Sequence, residues 1–363
     1  MKRGLTKYVN FVSSHFLAVS VLSCAVSSAY HYLTCRDAGH SVFLGWKASQ
    51  FYVDYFTFGF VKRGLVGTVF AFWDKTDIAT LAVLITAVSS LLVFVAVDRF
   101  CDRTTDTGRI VRALVAVSPF TAFQFIYDMG RYDVINAVIF IAAVVAVLRF
   151  WVVPAAVMCC VGTLVHEAFF VYAFPVVLAL AGTLFWRADA AGRHRRIVPL
   201  VLLAALPAAV ALLVLLHGND PEVVAYAPGP GTMVWRRGLL DLSFARHGSG
   251  TDFVMCVIML LIMYAWLIRF YRTNGGRCDW LFAAGFAPLA LFVLGTDYAR
   301  WSALVFFVLL TIVVIKSRID GWSMRPTDLR YGMFVFLVPL GPVGVDYLFP
   351  VLRYALGLPQ PGS

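Results

Sequence analysis

Residues 151–186 read WVVPAAVMCCVGTLVHEAFFVYAFPVVLALAGTLFW, thirty-six positions in which the only ionisable side chains besides the two cysteines and Tyr172 are His166 and Glu167. A helix crosses the roughly 30 Å hydrocarbon core with about 20 apolar residues. Backbone groups in lipid must be satisfied internally, so an apolar run of this length means helix. Thirty-six residues are too many for one untilted span. The stretch therefore predicts two shorter helices meeting at His166-Glu167 as a broken hairpin.

The same reading extends outward along the chain. Apolar runs predict eleven spans, near 10–33, 77–98, 113–127, 134–150, 151–165, 168–186, 197–217, 253–269, 280–296, 301–316 and 331–350. The expected fold class is all-α, a polytopic transmembrane helical bundle forming one multi-span domain over residues 1–363. Two long loops interrupt it, 34–76 and 218–252. Hydrophobic residues make up 61% of the chain and charged residues 14%, with a mean hydropathy of +0.83. An ordinary soluble domain is about half apolar and about a quarter charged, so a soluble enzyme, a disordered chain and a nucleic-acid-binding domain are excluded. The seven cysteines are scattered, giving no disulfide framework and no Cys/His metal spacing. Met1-Lys2-Arg3 and Lys7 before the first apolar run imitate a signal peptide. The run is long and lacks a clean cleavage site, and an uncleaved first helix is expected.

The net charge of +10 reads as the cytoplasmic-loop bias of a membrane protein. With the N-terminus inside and the spans alternating, 19 of the 30 Lys and Arg fall on the inner side and 13 of the 20 Asp and Glu on the outer side. An odd number of spans places the C-terminus outside.

That orientation gathers the unusual polar clusters on the outer side. They are Val61-Lys62-Arg63-Gly64-Leu65, Asp128-Met129-Gly130-Arg131-Tyr132-Asp133, His166-Glu167 and Asp297-Tyr298-Ala299-Arg300-Trp301. Charges at membrane depth are costly and usually pair or line a polar cavity. Four clusters at helix ends on one side suggest one shared site. Each also has a structural reading. Arg63 is either a headgroup anchor or a phosphate ligand, with Gly64 and Gly67 allowing close approach. Asp128 and Arg131, three residues apart, are spaced to pair with each other. His166-Glu167 is harder to explain by packing, and it is not a metalloprotease HExxH. Asp297 and Arg300 can pair with each other while Trp301 serves as a belt residue. In the first loop, Trp46, Phe51, Tyr52, Tyr55, Phe56, Phe58 and Phe60 suit interfacial helices or substrate stacking equally. The second loop, with Pro221, Pro228 and Pro230, is either a flap or a connector.

This layout resembles the GT-C type of membrane glycosyltransferase, and also the O-antigen and capsule polymerases of surface-polysaccharide synthesis. The resemblance rests on the topology, on the aromatic first outer loop carrying Asp54, and on Lys62-Arg63-Gly64-Leu65, His166-Glu167 and Asp297-x-x-Arg300-Trp301. It implies a multi-pass bacterial inner-membrane protein, and a polyprenyl-phosphate-linked sugar donor met at the outer leaflet together with a glycan acceptor. It also implies a catalytic acid in the first outer loop, which would be Asp54. No paired-acid motif stands there. The chemistry needs a base for the acceptor hydroxyl and cations at the departing phosphate. Asp54, Asp128, His166 and Glu167 are the candidate catalytic groups. Arg63, Arg131, Asp133, Asp297, Arg300 and Trp301 are the candidate phosphate or substrate ligands. No cofactor is expected, no residue is assigned to a divalent cation, and no nucleotide motif is present. The competing class is a transporter or flippase, which keeps its ionisable groups near the midplane. A polar path through the bundle would favour transport. Convergence at one face would favour the enzyme.

Overall fold

The computed structural model describes residues 2–37, 50–73, 77–218, 250–294, 297–325, 328–329 and 333–339. The regular elements among them are all helices. The chain opens with α1 (Lys2–Ser14) and α2 (Phe16–Asp37), then two short helices in the first loop, α3 (Tyr55–Phe58) and α4 (Gly64–Val69). Next come α5 (Ile78–Phe100), α6 (Asp106–Val117), α7 (Ala122–Tyr127), α8 (Asp133–Leu148) and α9 (Val152–Val165). After the His166-Glu167 break follow α10 (Ala168–Tyr172), α11 (Phe174–Trp186) and α12 (Ala190–His217). The last part holds α13 (Gly250–Thr273), α14 (Trp280–Ala284), α15 (Leu291–Leu294) and α16 (Tyr298–Asp320).

Six helical stretches are long and apolar enough to cross a membrane, or seven if the bent α1–α2 pair counts as one. Three shorter apolar helices, Asp133–Leu148, Val152–Val165 and Trp280–Val293, join them. The described residues thus carry fewer full-length spans than the eleven expected, and the differences have local causes. The expected span 10–33 is bent by 90° between Ser14 and Phe16. There α1 turns aside with Val9 and Val12 buried and Phe11 exposed. The helix over 113–127 starts earlier, at Asp106, and is broken before Pro119, which forces Ser118 into extended backbone (ψ 139°). The Thr121 hydroxyl then meets the carbonyls of Leu114 and Val115 at 3.0 and 2.8 Å. The expected span 280–296 falls into α14, a 3-10 turn at Ala287–Ala290 and α15, because Pro288 has no N–H to continue a helix. Of the expected span 331–350, residues 333–337 form a 3-10 turn and 340–350 lie outside the described residues, as does the loop over 219–249.

The hairpin expected at 151–186 is present. Both arms pack on α12, and α9 also lies along α8. The central helix is α16, whose Val305, Phe306, Val308, Leu309, Ile312 and Val313 are fully buried. On α12, by contrast, Leu212, Leu213, Leu215 and Leu216 face outward, as a lipid-contacting surface requires.

Contacts sort the helix ends into two opposite faces. At one, Arg318 donates to the Phe100 carbonyl (2.7 Å), Arg187 to Asp320 (2.5 Å) and the Met324 N–H to Thr107 (2.8 Å). The other holds the segment 50–73, the turn at 128–133, His166-Glu167 and the start of α16. Along α16, Arg300 and Lys316 are sixteen residues apart, about 24 Å at 1.5 Å per residue. The helices α8 and α9 have 16 and 14 residues, hence roughly 24 and 21 Å. These spacings are shorter than the roughly 30 Å hydrocarbon core. The 23-residue α5 and α16, by contrast, run about 35 Å.

Candidate functional site

Arg63 follows the segment 50–54 at the head of α4, in left-handed backbone (φ 61°). Such a conformation is uncommon for a residue with a side chain. It is held by close packing behind it. A Cβ at Gly67 would overlap the Val53 carbonyl, and one at Gly64 would overlap the Tyr55 ring. These glycines therefore serve contact within the chain itself. The result is that Arg63 forks Glu167, with Nε to Oε2 at 3.0 Å and Nη2 to Oε1 at 2.5 Å.

Glu167 stands at the break because His166 is in extended backbone (φ −157°, ψ 121°), which stops α9. The His166 ring is buried, and its Nδ1 lies 3.1 Å from the Ala168 N–H at the start of α10. Its Nε2 lies 2.9 Å from Arg300 Nη2. A guanidinium offers only donors, so the Arg300 contact presents an N–H to Nε2. The Ala168 N–H donates to Nδ1, so both ring nitrogens face donors, and Nδ1 also lies 3.6 Å from Glu167 Oε2.

Arg300, in the first turn of α16, is the hub. It forks Asp133, with Nη2 to Oδ1 at 2.8 Å and Nε to Oδ2, and reaches Asp297 at 3.3 Å. Asp133 opens α8, where a carboxylate also suits the helix N-terminus. Arg131 binds the same Asp297 Oδ2 at 2.5 Å and lies 3.5 Å from Asp128. Asp128 accepts from the Gln124 side chain. The turn that presents Asp128, Arg131 and Asp133 depends on Gly130 (φ 88°), whose N–H meets the Thr86 hydroxyl at 3.3 Å.

The four sequence clusters thus form one connected network from Arg63 through Glu167, His166, Arg300, Asp133 and Asp297 to Arg131 and Asp128. Three guanidiniums face four carboxylates. Comparison with family models, curated proteins and solved structures finds no match to this chain. The site must therefore be read from its own chemistry.

Two of the candidates are occupied in ways the sequence did not show. Asp54 caps α3, accepting from the Thr57 N–H (2.7 Å) and the Thr57 hydroxyl (2.9 Å). Trp301 is buried beside Arg300, whose guanidinium carbon lies 4.9 Å from the ring centroid, and its indole N–H has no hydrogen-bond partner. It is packed in the core here, where the sequence offered a belt residue or a substrate ligand. Asp297 Oδ1 is buried without a hydrogen-bond partner, whereas its Oδ2 takes both Arg131 and Arg300.

Sequence reading missed Gln124, Asn136 and Tyr172. Asn136 donates to the His166 carbonyl at 3.4 Å, and Tyr172 is buried with an unpartnered hydroxyl. Their spacing was a usable signal, since Gln124 lies one turn before Asp128 and Asn136 one turn after Asp133. Beneath the network, a cavity of about 20 Å³ touches Gln124, Asp128, Asp133 and Arg300 and is otherwise apolar. It has room for about one water molecule. Phe307 floors it and separates it from a second, apolar cavity toward the opposite face. Among the described residues, no group of His, Cys, Asp or Glu is arranged to hold a metal ion.

Proposed function

We propose that this protein is an integral-membrane glycosyltransferase or polymerase of surface-polysaccharide synthesis, acting on a polyprenyl-phosphate-linked sugar at the outer face of a bacterial inner membrane. The observation that carries this reading is the convergence of Arg63, Arg131, Arg300, His166 and four carboxylates in one network at a single face. Membrane-depth charges of this density are costly. Donor fork and carboxylate side by side are what transfer from a lipid phosphate needs. The topology belongs to the same proposal: N-terminus inside, eleven crossings counting the short and broken helices and 331–350, and the network outside.

The roles follow from what each group has free. Arg63 sits at the more exposed edge, its side chain 17% and that of Glu167 36% exposed, so this pair meets the phosphate first. A phosphate taking the Arg63 fork releases Glu167, which becomes available to the acceptor hydroxyl. Asp297, with its unpartnered Oδ1, is the second candidate base. Asp54 keeps a place only through the family resemblance. A transporter or flippase is the runner-up. The space below the network is apolar and interrupted by Phe307, which supports the enzyme over a polar path.

The test is the Glu167→Gln variant in the native host, read as surface glycan and as accumulated lipid-linked intermediate. The amide still accepts one hydrogen bond from Arg63 but has no basicity. Lost glycan with the intermediate accumulating and the protein normally inserted is expected. Wild-type glycan from both Glu167→Gln and Asp297→Asn would refute the reading.

A further inference from the structure

At the face opposite the network, α5, α8 and α16 diverge and leave a half-open crevice of about 60 Å³. Ala96 and Phe100 of α5, Val145 and Leu148 of α8, and Thr311 and Val314 of α16 line it. Its one hydroxyl, on Thr311, is spent on the Phe307 carbonyl at 2.8 Å. Such a void is too apolar to hold water. Next to it the outer surface of α5 continues with exposed Leu84, Val88, Leu91, Leu92 and Val95, the composition of a lipid-facing helix.

A cation marks the mouth. Arg318 lies on α16 one turn beyond Val314, and its guanidinium stacks 4.6 Å from the centroid of the Phe100 ring that lines the crevice. Its Nε and Nη2 donate to the Phe100 carbonyl at 3.2 and 2.7 Å. Most arginines around it are matched to acids: Arg103 and Arg112 to Asp98, Arg187 to Asp320, Arg269 to Asp328. Arg318 is exposed and is in no direct ion pair among the described residues, though the exposed Asp102 feels its charge. A fixed guanidinium at the end of an apolar slot suits a phosphate joined to a hydrocarbon chain.

We infer that the α5/α8/α16 crevice is a binding site for an anionic glycerophospholipid of the adjacent leaflet, with a few methylenes of one acyl chain in the slot and the phosphate on Arg318. The inference does not depend on the proposed enzymatic activity. It is tested on the purified full chain by native mass spectrometry with dioleoylphosphatidylglycerol and dioleoylphosphatidylcholine offered in equal amounts. Wild-type protein is expected to retain phosphatidylglycerol about fivefold more than phosphatidylcholine, the scale of one basic residue near a membrane surface. Arg318→Gln keeps an N–H for the Phe100 carbonyl and removes the charge, and is expected to abolish the preference. Ala96→Phe fills the slot and is expected to lower retention of both lipids. Soluble glycerol phosphate, a headgroup without a chain, is expected not to displace the lipid. Equal retention of the two lipids by wild-type protein overturns the site, whatever the variants do. So does undiminished preference in Arg318→Gln, or undiminished retention in Ala96→Phe.

Discussion

Replacing Arg300 by Ala removes the hub of the network and leaves Asp133 and Asp297 half-buried, their side chains 14% and 15% exposed. Breaking a buried ion pair by deleting one partner costs about 3–5 kcal/mol, because a charge is left without compensation. That is a large share of the 5–15 kcal/mol typical of a folded domain, so Arg300→Ala alone confounds stability with chemistry. The informative comparison is the cycle of Arg300→Ala, Asp133→Ala and the double variant. Deleting both partners removes the fork and also the stranded charge, so the double variant should cost less than the sum of the singles. From the two-bond fork and its burial, the expected coupling is about 2–3 kcal/mol. Reversible unfolding in mixed micelles, followed by circular dichroism, measures it. A coupling below about 0.5 kcal/mol, the additivity of independent sites, would refute the reasoning. If the double variant still assembles wild-type glycan, Arg300 and Asp133 hold the helices together and take no part in transfer.

Four further outcomes are expected. Arg63→Lys keeps the charge and loses the fork on Glu167, so glycan assembly should fall by about tenfold or more with little change in insertion. Unchanged assembly would mean that a point charge suffices. Asp54→Asn preserves an N-cap for α3 whereas Asp54→Ala costs about 1 kcal/mol, so the two should differ in thermal midpoint. Full glycan from Asp54→Asn would remove Asp54 from the catalytic candidates. Gly67→Ala should misfold or lower the thermal midpoint by several degrees, since its Cβ has no room beside Val53, whereas Gly182→Ala, with open space around it, should be silent. Finally, Cys278 is exposed at the basic face. In a Cys35→Ser background it should resist a membrane-impermeant maleimide in intact cells and react after permeabilisation. Labelling in intact cells would invert the topology.

The helical class was legible because hydropathy is a property of composition over a window, and the broken hairpin because His166-Glu167 stands alone in its run. The grouping of segments by side was legible too. Arg63 and Glu167 are 104 residues apart and Arg300 and Asp133 are 167 apart, yet positive-inside counting put all four at one end. What hydropathy did not reveal is continuity. Pro119, Pro288 and the turn at His15 break helices without lowering the apolar score, so spans were counted where the chain bends. Nor did it reveal pairing. Asp54 looks like a lone acid in an aromatic loop, and only its three-residue offset from Thr57 hinted at a cap. Lys316, near the end of its apolar run, reads from sequence as one of the inner-side cations. It is in fact a buried side chain 2.7 Å from Asp279, with its ammonium 4.1 Å from the Trp322 ring centroid.

Full pairing of the three arginines bears directly on how a phosphate would enter. An arginine that waits unpaired at membrane depth would carry the cost of an isolated charge. Pairing it with Glu167 or Asp133 removes that cost in the absence of substrate. A phosphate can then bind only by exchange, displacing a carboxylate whose own charge must be satisfied elsewhere. That exchange is least costly at the edge, where water can take up the released group, and most costly at Arg300, where both partners are enclosed. On the proposed reading, the gradient of exposure across the network sets an order in which Arg63 exchanges and Arg300 holds. The released carboxylate and the captured phosphate would then lie side by side, the geometry that transfer to an acceptor hydroxyl requires.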